Sequence, residues 1–138
     1  MRRKLVIKVL SGFTDPERTA QAFTVASTAV AAGVEVSLWL TSDASDFALP
    51  GKAEDFSLPH AAPLGDLLQT ILASGSITLC TQCAQRRGIT ADQVIPGITI
   101  KGAASFVEEI MEDNVQALVY ESLSGDYQLL SRWDSIHH

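Results

Sequence analysis

The stretch Ile77-Thr78-Leu79-Cys80-Thr81-Gln82-Cys83-Ala84-Gln85-Arg86-Arg87-Gly88-Ile89 decides how this chain reads. Ile77 to Cys80 is a short apolar run of strand length, and a short helix follows as far as Arg87, with Gly88 to stop it. The same alternation recurs on both sides. Leu5 to Leu10 is a nearly continuous apolar run, as a strand covered on both faces requires. Ser11-Gly12-Phe13-Thr14-Asp15-Pro16-Glu17 then starts a helix, either through a Thr14/Glu17 capping box or through Asp15 as cap with Pro16 at the first helical position. Ala22, Phe23, Ala26, Ala29 and Val30 keep helical spacing, and Gly33 ends it.

Val34 to Leu40 reads as the second strand. Pro63 to Ser74 is a helix with Leu64, Leu67, Leu68, Ile71 and Leu72 on one face. After the quoted stretch come a short strand at Ile98 to Ile100 and a helix marked by Ala103, Phe106, Val107, Ile110 and Met111. A last strand runs from Gln116 to Tyr120. Five strands alternating with helices predict an α/β protein, a mainly parallel five-stranded sheet with helices on both faces. Leu5–Leu10 and Ile77–Cys80 are expected side by side at its centre, since both are apolar enough to be covered twice.

Two segments fall outside this pattern. Thr41 to Ala62 has no clear periodicity, and is either a solvated excursion or a lid or interface segment. Residues 1–120 are expected to form the domain. Residues 121–138, which hold Tyr127, Leu129, Leu130 and Trp133, are expected to pack as a tail on it or on a neighbouring subunit. Phe47, Phe56, Tyr127 and Trp133 together make more aromatic surface than water tolerates, and so are expected to help bury a subunit interface.

Composition narrows the function. Apolar residues at 46% and charged ones at 19% suit a packed globule rather than disorder. Sixteen acids against ten bases give a net charge of −6, which repels phosphate backbones and argues against nucleic acid as a partner. The opening MRRKLVIKVL resembles a secretion signal, but Lys8 breaks its apolar run, and Asp15, Glu17 and Arg18 precede the mimic of a cleavage site at Ala20-Gln21-Ala22. Ala22 to Leu40 contains Gly33 and Glu35 and reads as helix, turn and strand rather than a membrane span. The expected compartment is the cytoplasm, with no membrane association.

The chemistry is expected at the two cysteines. A close pair in a cytosolic chain points to catalysis, redox work or metal. Cys80 falls where a parallel strand ends and a helix begins, the edge at which open α/β sheets form sites. Backbone N–H groups there favour the reactive thiolate, and Arg86 and Arg87 add positive charge. Cys83 lies three residues on, on the same helix face, with fewer free N–H groups expected to face it. Cys80 is therefore expected to be the nucleophile and Cys83 the secondary thiol. The plainer alternative is two small buried residues packing a helix on a sheet. Asp43 and Ser11, in the turns after the first two strands, are supporting candidates. One CxxC with His60 falls short of the four ligands of structural zinc, so no metal is expected. Neither GxGxxG nor a Walker pattern is present, so no nucleotide cofactor is expected. Glu108, Glu109, Glu112 and Asp113 read as an exposed acidic helix face.

The segment CTQCAQRRGI resembles that of the DsrE/TusD sulfur-carrier family, in which a cysteine is followed by small residues and then Gln-Arg-Arg-Gly-Ile/Val. The likeness extends over most of residues 4 to 120, through the Ala-Gly-Val-Glu-Val turn and the strand ending Ser37-Leu-Trp-Leu-Thr-Ser-Asp43. It implies a YchN-like three-layer α/β/α sandwich, flavodoxin-like in layout, assembled as a homo-trimer or homo-hexamer. It also implies a persulfide on Cys80 passed between sulfur donor and acceptor proteins, with Arg86, Arg87 and Gly88 matching the basic motif. Cys83 departs from the family's usual small residue, and Ala44 follows Asp43 where the family has glycine. The extra cysteine keeps two other readings open. One is a thiol–disulfide or peroxide-reducing protein using both cysteines; the other is a non-enzymatic oligomeric regulatory module.

Overall fold

The five apolar runs become the strands of one parallel sheet in the computed structural model, which describes residues 3–122. They are β1 (Lys4–Val9), β2 (Glu35–Leu40), β3 (Ser76–Cys80), β4 (Thr99–Lys101) and β5 (Val115–Tyr120), in the order β4-β3-β2-β1-β5. Helices α1 (Pro16–Ala31), α2 (Leu64–Ser74), α3 (Thr81–Arg86) and α4 (Ala103–Ile110) lie between them, with a 3-10 helix at Ser42–Ala48. The Asp15–Pro16 start of α1 is the one adopted, although the Asp15 carboxylate makes no cap bond and instead accepts from Ser122 Oγ at 2.7 Å. Gly33, at φ +84°, supplies the left-handed step that ends the helix.

Alternation along the strands sorts the two faces. Ile7, Val9, Val36, Leu38, Leu40, Ile77 and Leu79 pack against Phe23 and Ala26 of α1 and Leu64, Leu68 and Ile71 of α2. Burying each larger aliphatic side chain contributes roughly 1.5–3 kcal/mol. The other face presents Ser37 and Trp39 to α4. Trp39 meets Phe106 edge-on at 5.3 Å, and the Lys8 ammonium lies 5.1 Å from the same ring.

Three expectations are corrected. β1 and β3 are not neighbours, because β2 pairs with both. The chain steps one strand at a time from β1 to β4, and only α4 carries it back to the free edge of β1, where β5 pairs in parallel. Residues 41–62 are a solvated excursion only in part: most of 51–62 is exposed, but 41–50 is largely buried. Phe47 is fully buried and Phe56 nearly so, and Phe47 stands 5.8 Å from Phe23, 5.9 Å from Phe56 and 5.0 Å from Phe13. These two aromatics complete the core of their own chain rather than a subunit interface; Tyr127 and Trp133 lie outside the described residues. The acidic face of α4 is not uniformly exposed either. Glu109 turns inward, where its Oε1 accepts from Ser37 Oγ and Trp39 Nε1, each at 2.8 Å, and its Oε2 lies 3.1 Å from Lys4 Nζ.

Among the described residues no helix is long and apolar enough to cross a membrane.

Candidate functional site around Cys80 and Cys83

β3 runs out at Cys80, at the carboxyl edge of the sheet, and α3 begins at the next residue. Cys80 is partly exposed, whereas Cys83 is buried in the first turn of α3. Gly88, at φ +66°, takes the left-handed position just after that helix, which is why glycine follows the two arginines. Both thiols are free.

The loop leaving β2 forms the other wall. Ser42 is held at φ +48°, a left-handed conformation that costs a non-glycine residue about 1–2 kcal/mol. Its N–H donates to Cys83 Sγ at 3.2 Å. Ser45, one turn on, is fully buried, and its Oγ has no hydrogen-bond partner among the described residues. Gly12 supports the loop from beneath, because a Cβ there would stand 2.7 Å from the Asp43 carbonyl oxygen. A side chain would push the β1–α1 turn away from the wall.

These neighbours set the charge of the buried sulfur. Burial pushes the Cys83 thiol up. The Ser42 N–H, the Cys80 thiol, the Arg87 guanidinium and the Ser45 hydroxyl outweigh it and hold Cys83 below the ordinary thiol value. Fewer N–H groups were expected at Cys83 than at Cys80. The donor that matters comes from another loop, not from the short helix, so the thiolate is favoured at Cys83.

Of the predicted site residues, the fold gathers Cys80, Cys83, Arg87 and Asp43. Arg87 Nη2 lies 3.4 Å from Asp43 Oδ1, so its charge is shared between that carboxylate and Cys83. Arg86 is exposed on α3, with no salt bridge among the described residues. Ser11 is fully buried, and its Oγ lies 3.1 Å from Thr19 Oγ1, where it ties β1 to α1. Ser42 and Ser45 were missed. Their signal was position alone, directly after a strand at the sheet edge where sites form. Among the described residues, no three His, Cys, Asp or Glu side chains gather as a metal site. A cavity of about 580 Å³ between the start of α1 and Tyr120 includes neither cysteine.

The DsrE/DsrF-like family model matches residues 3–116. An uncharacterized protein of Methanocaldococcus jannaschii, MJ0760, is 29% identical over 114 residues, which are 82% of this chain and 42% of that protein. The chain thus spans less than half the length of this curated relative. Among solved structures, YchN of E. coli superposes with a TM-score of 0.71 at 18% identity, over 87% of this chain and all of YchN. MTH1491 of Methanobacterium thermoautotrophicum, a protein of unknown function, gives 0.65 at 10% identity, over 85% of this chain and 98% of its own. At such identities the likeness speaks for the fold.

Proposed function

This chain belongs to the DsrE/DsrF-like family, and from that premise we propose that it is a sulfur carrier working through Cys80. The Cys80 thiolate attacks the outer sulfur of a donor persulfide. A Cys80–sulfur bond forms, the donor's S–S bond breaks, and the donor leaves as a thiolate. An acceptor thiolate takes the sulfur by the same exchange. The observation that supports this most is the placement of Cys80: partly exposed at the end of β3, in the cysteine-to-Arg-Arg-Gly segment, where a partner's thiol can reach it. A protein acceptor suits a chain of net charge −6 better than a nucleic acid. Two free thiols suit the reducing cytoplasm.

The test is intact-protein mass after exposure to a sulfane-sulfur donor. The expected result is a gain of one sulfur atom, seen early in the wild type, retained throughout in Cys83→Ala and absent in Cys80→Ala. No gain in any of the three proteins would sink the carrier reading.

A second reading, a dithiol that reduces peroxide, is favoured by two free thiols three residues apart, Cys80 at the end of β3 and Cys83 in the first turn of α3. One thiolate takes an oxygen from peroxide to give a sulfenic acid, and the other thiol displaces water to close a disulfide. Loss of two hydrogens on peroxide treatment, without any sulfur gain from a sulfane donor even in Cys83→Ala, selects it.

The chain is also inferred to assemble as a homo-trimer or homo-hexamer. What supports this is α4, which buries no residue fully and leaves Val107 54% exposed, with Met111, just after its end, 76% exposed and Val119 on β5 53%. Apolar surface of that extent on one side of a sheet is what contact between subunits would cover.

A further inference from the structure

Uptake by Cys80 leaves a second, buried thiol without work, and three groups converge on it. The Ser42 N–H reaches the Cys83 sulfur at 3.2 Å from a backbone held at φ +48°. The Ser45 hydroxyl is fully buried, has no hydrogen-bond partner among the described residues, and lies close enough to help lower the Cys83 thiol. Cys80 ends β3 three residues before Cys83, which sits in the first turn of α3, and its thiol helps lower the Cys83 thiol. A neutral thiol does not call for an aimed backbone N–H with an unpaired buried hydroxyl beside it. A sulfur that carries negative charge when it reacts does.

We propose that Cys83 is the resolving thiol of this carrier, held by Ser42 and Ser45 as positioning residues, and that it discharges the Cys80 persulfide as hydrosulfide when no acceptor collects it. The inference rests on the reading of Cys80 as the persulfide carrier. In the step, the Cys83 thiolate attacks Cys80 Sγ, the inner sulfur of the persulfide. The Cys80–Cys83 bond forms as the inner-to-outer S–S bond breaks, and the outer sulfur leaves with the bonding pair and its proton as hydrosulfide. The sulfane sulfur is reduced by two electrons, and the two cysteines become a disulfide. An external dithiol resets the pair by exchange, returning two electrons and two protons. Cys80, exposed, takes sulfur in; Cys83, buried, reaches only its neighbour.

The full chain is loaded anaerobically with inorganic polysulfide, freed of donor by desalting, and followed by intact mass beside a sulfide trap. The expected wild-type result is loss of the added sulfur, one equivalent of hydrosulfide and a mass two hydrogens below the reduced chain. Cys83→Ser should keep the sulfur on Cys80. Ser45→Ala should release it roughly tenfold more slowly, with the pH midpoint of release moved upward, which a merely structural role would not do. Wild-type persulfide as long-lived as that of Cys83→Ser, or sulfide release without disulfide, overturns the inference and leaves the carrier standing. Should Cys83→Ser not fold, the wild-type disulfide decides alone. No added sulfur on Cys83→Ser, with no sulfide or disulfide from the wild type, removes the carrier reading and this inference with it.

Discussion

The Ser42 backbone N–H donates to the Cys83 sulfur across 3.2 Å, which ties the exit of β2 to the helix after β3. A hydrogen bond to the charged form of a group lowers its pKa. Thiolate at Cys83 should therefore persist as pH falls below the ordinary thiol range, and vanish only at the lowered value. The ultraviolet absorbance of thiolate, titrated in Cys80→Ser, measures it. A midpoint at or above that of a free cysteine would refute the assignment.

Arg87 acts on the same sulfur through its charge, yet shares it with Asp43 at 3.4 Å. Arg87→Ala should raise the Cys83 midpoint, and added salt should do the same to the wild type. The effect on stability should stay within about 1 kcal/mol, as for other surface pairs. A midpoint unmoved by both would show that Arg87 faces solvent only.

Glu109 anchors α4 to the sheet through Trp39, Ser37 and Lys4. Burial pushes its carboxyl up, but those three partners hold it below the usual carboxylate range. Its folded pKa is depressed, so its contribution is present above the unfolded value, about 4.3, and is lost as pH falls through the folded one. Lys4 runs the other way: raised by Glu109 and Glu112 against burial, it contributes below its unfolded value and loses that as pH rises through the folded one. Glu109→Ala should cost about 2–4 kcal/mol in denaturant melts. Glu109→Gln, which still accepts from Trp39 and Ser37, should cost less. Acid stability unchanged in Glu109→Gln would contradict the linkage.

Phe47 touches Phe13, Phe23 and Phe56 inside a single chain. Phe47→Ala should cost about 3–5 kcal/mol and leave the assembly state of the surviving folded protein unchanged. Met111→Glu, on the open face of α4, should do the reverse: little change in fold stability and a smaller particle by light scattering. A wild-type monomer at working concentration would refute the interface.

Element type was legible wherever apolar spacing was unambiguous. The run Val34 to Leu40 and the face Leu64, Leu68 and Ile71 could be read directly, and both stand in the core. Strand order was not. Leu5–Leu10 and Ile77–Cys80 look equally central by composition, and nothing local says that β2 separates them. Residues 41–62 were opaque because a 3-10 helix and successive turns bury Phe47, Ala48, Ala53 and Phe56 without a repeating period. Cys80 and Cys83 could be picked out as a pair. The donor that reaches the Cys83 sulfur is the N–H of Ser42, some forty residues away and silent as a motif.

The return of β5 to the free edge of β1 has a consequence during synthesis on the ribosome. β1 to β4 emerge in an order that lets each strand dock on the one before. β1 keeps one row of N–H and C=O groups unpaired until Val115–Tyr120 has left the exit tunnel. A nascent chain halted before that point presents a bare apolar edge, the template on which strands of other chains add. The Lys4 and Lys8 side chains, spaced along that edge strand, are the charges that oppose such pairing until β5 arrives.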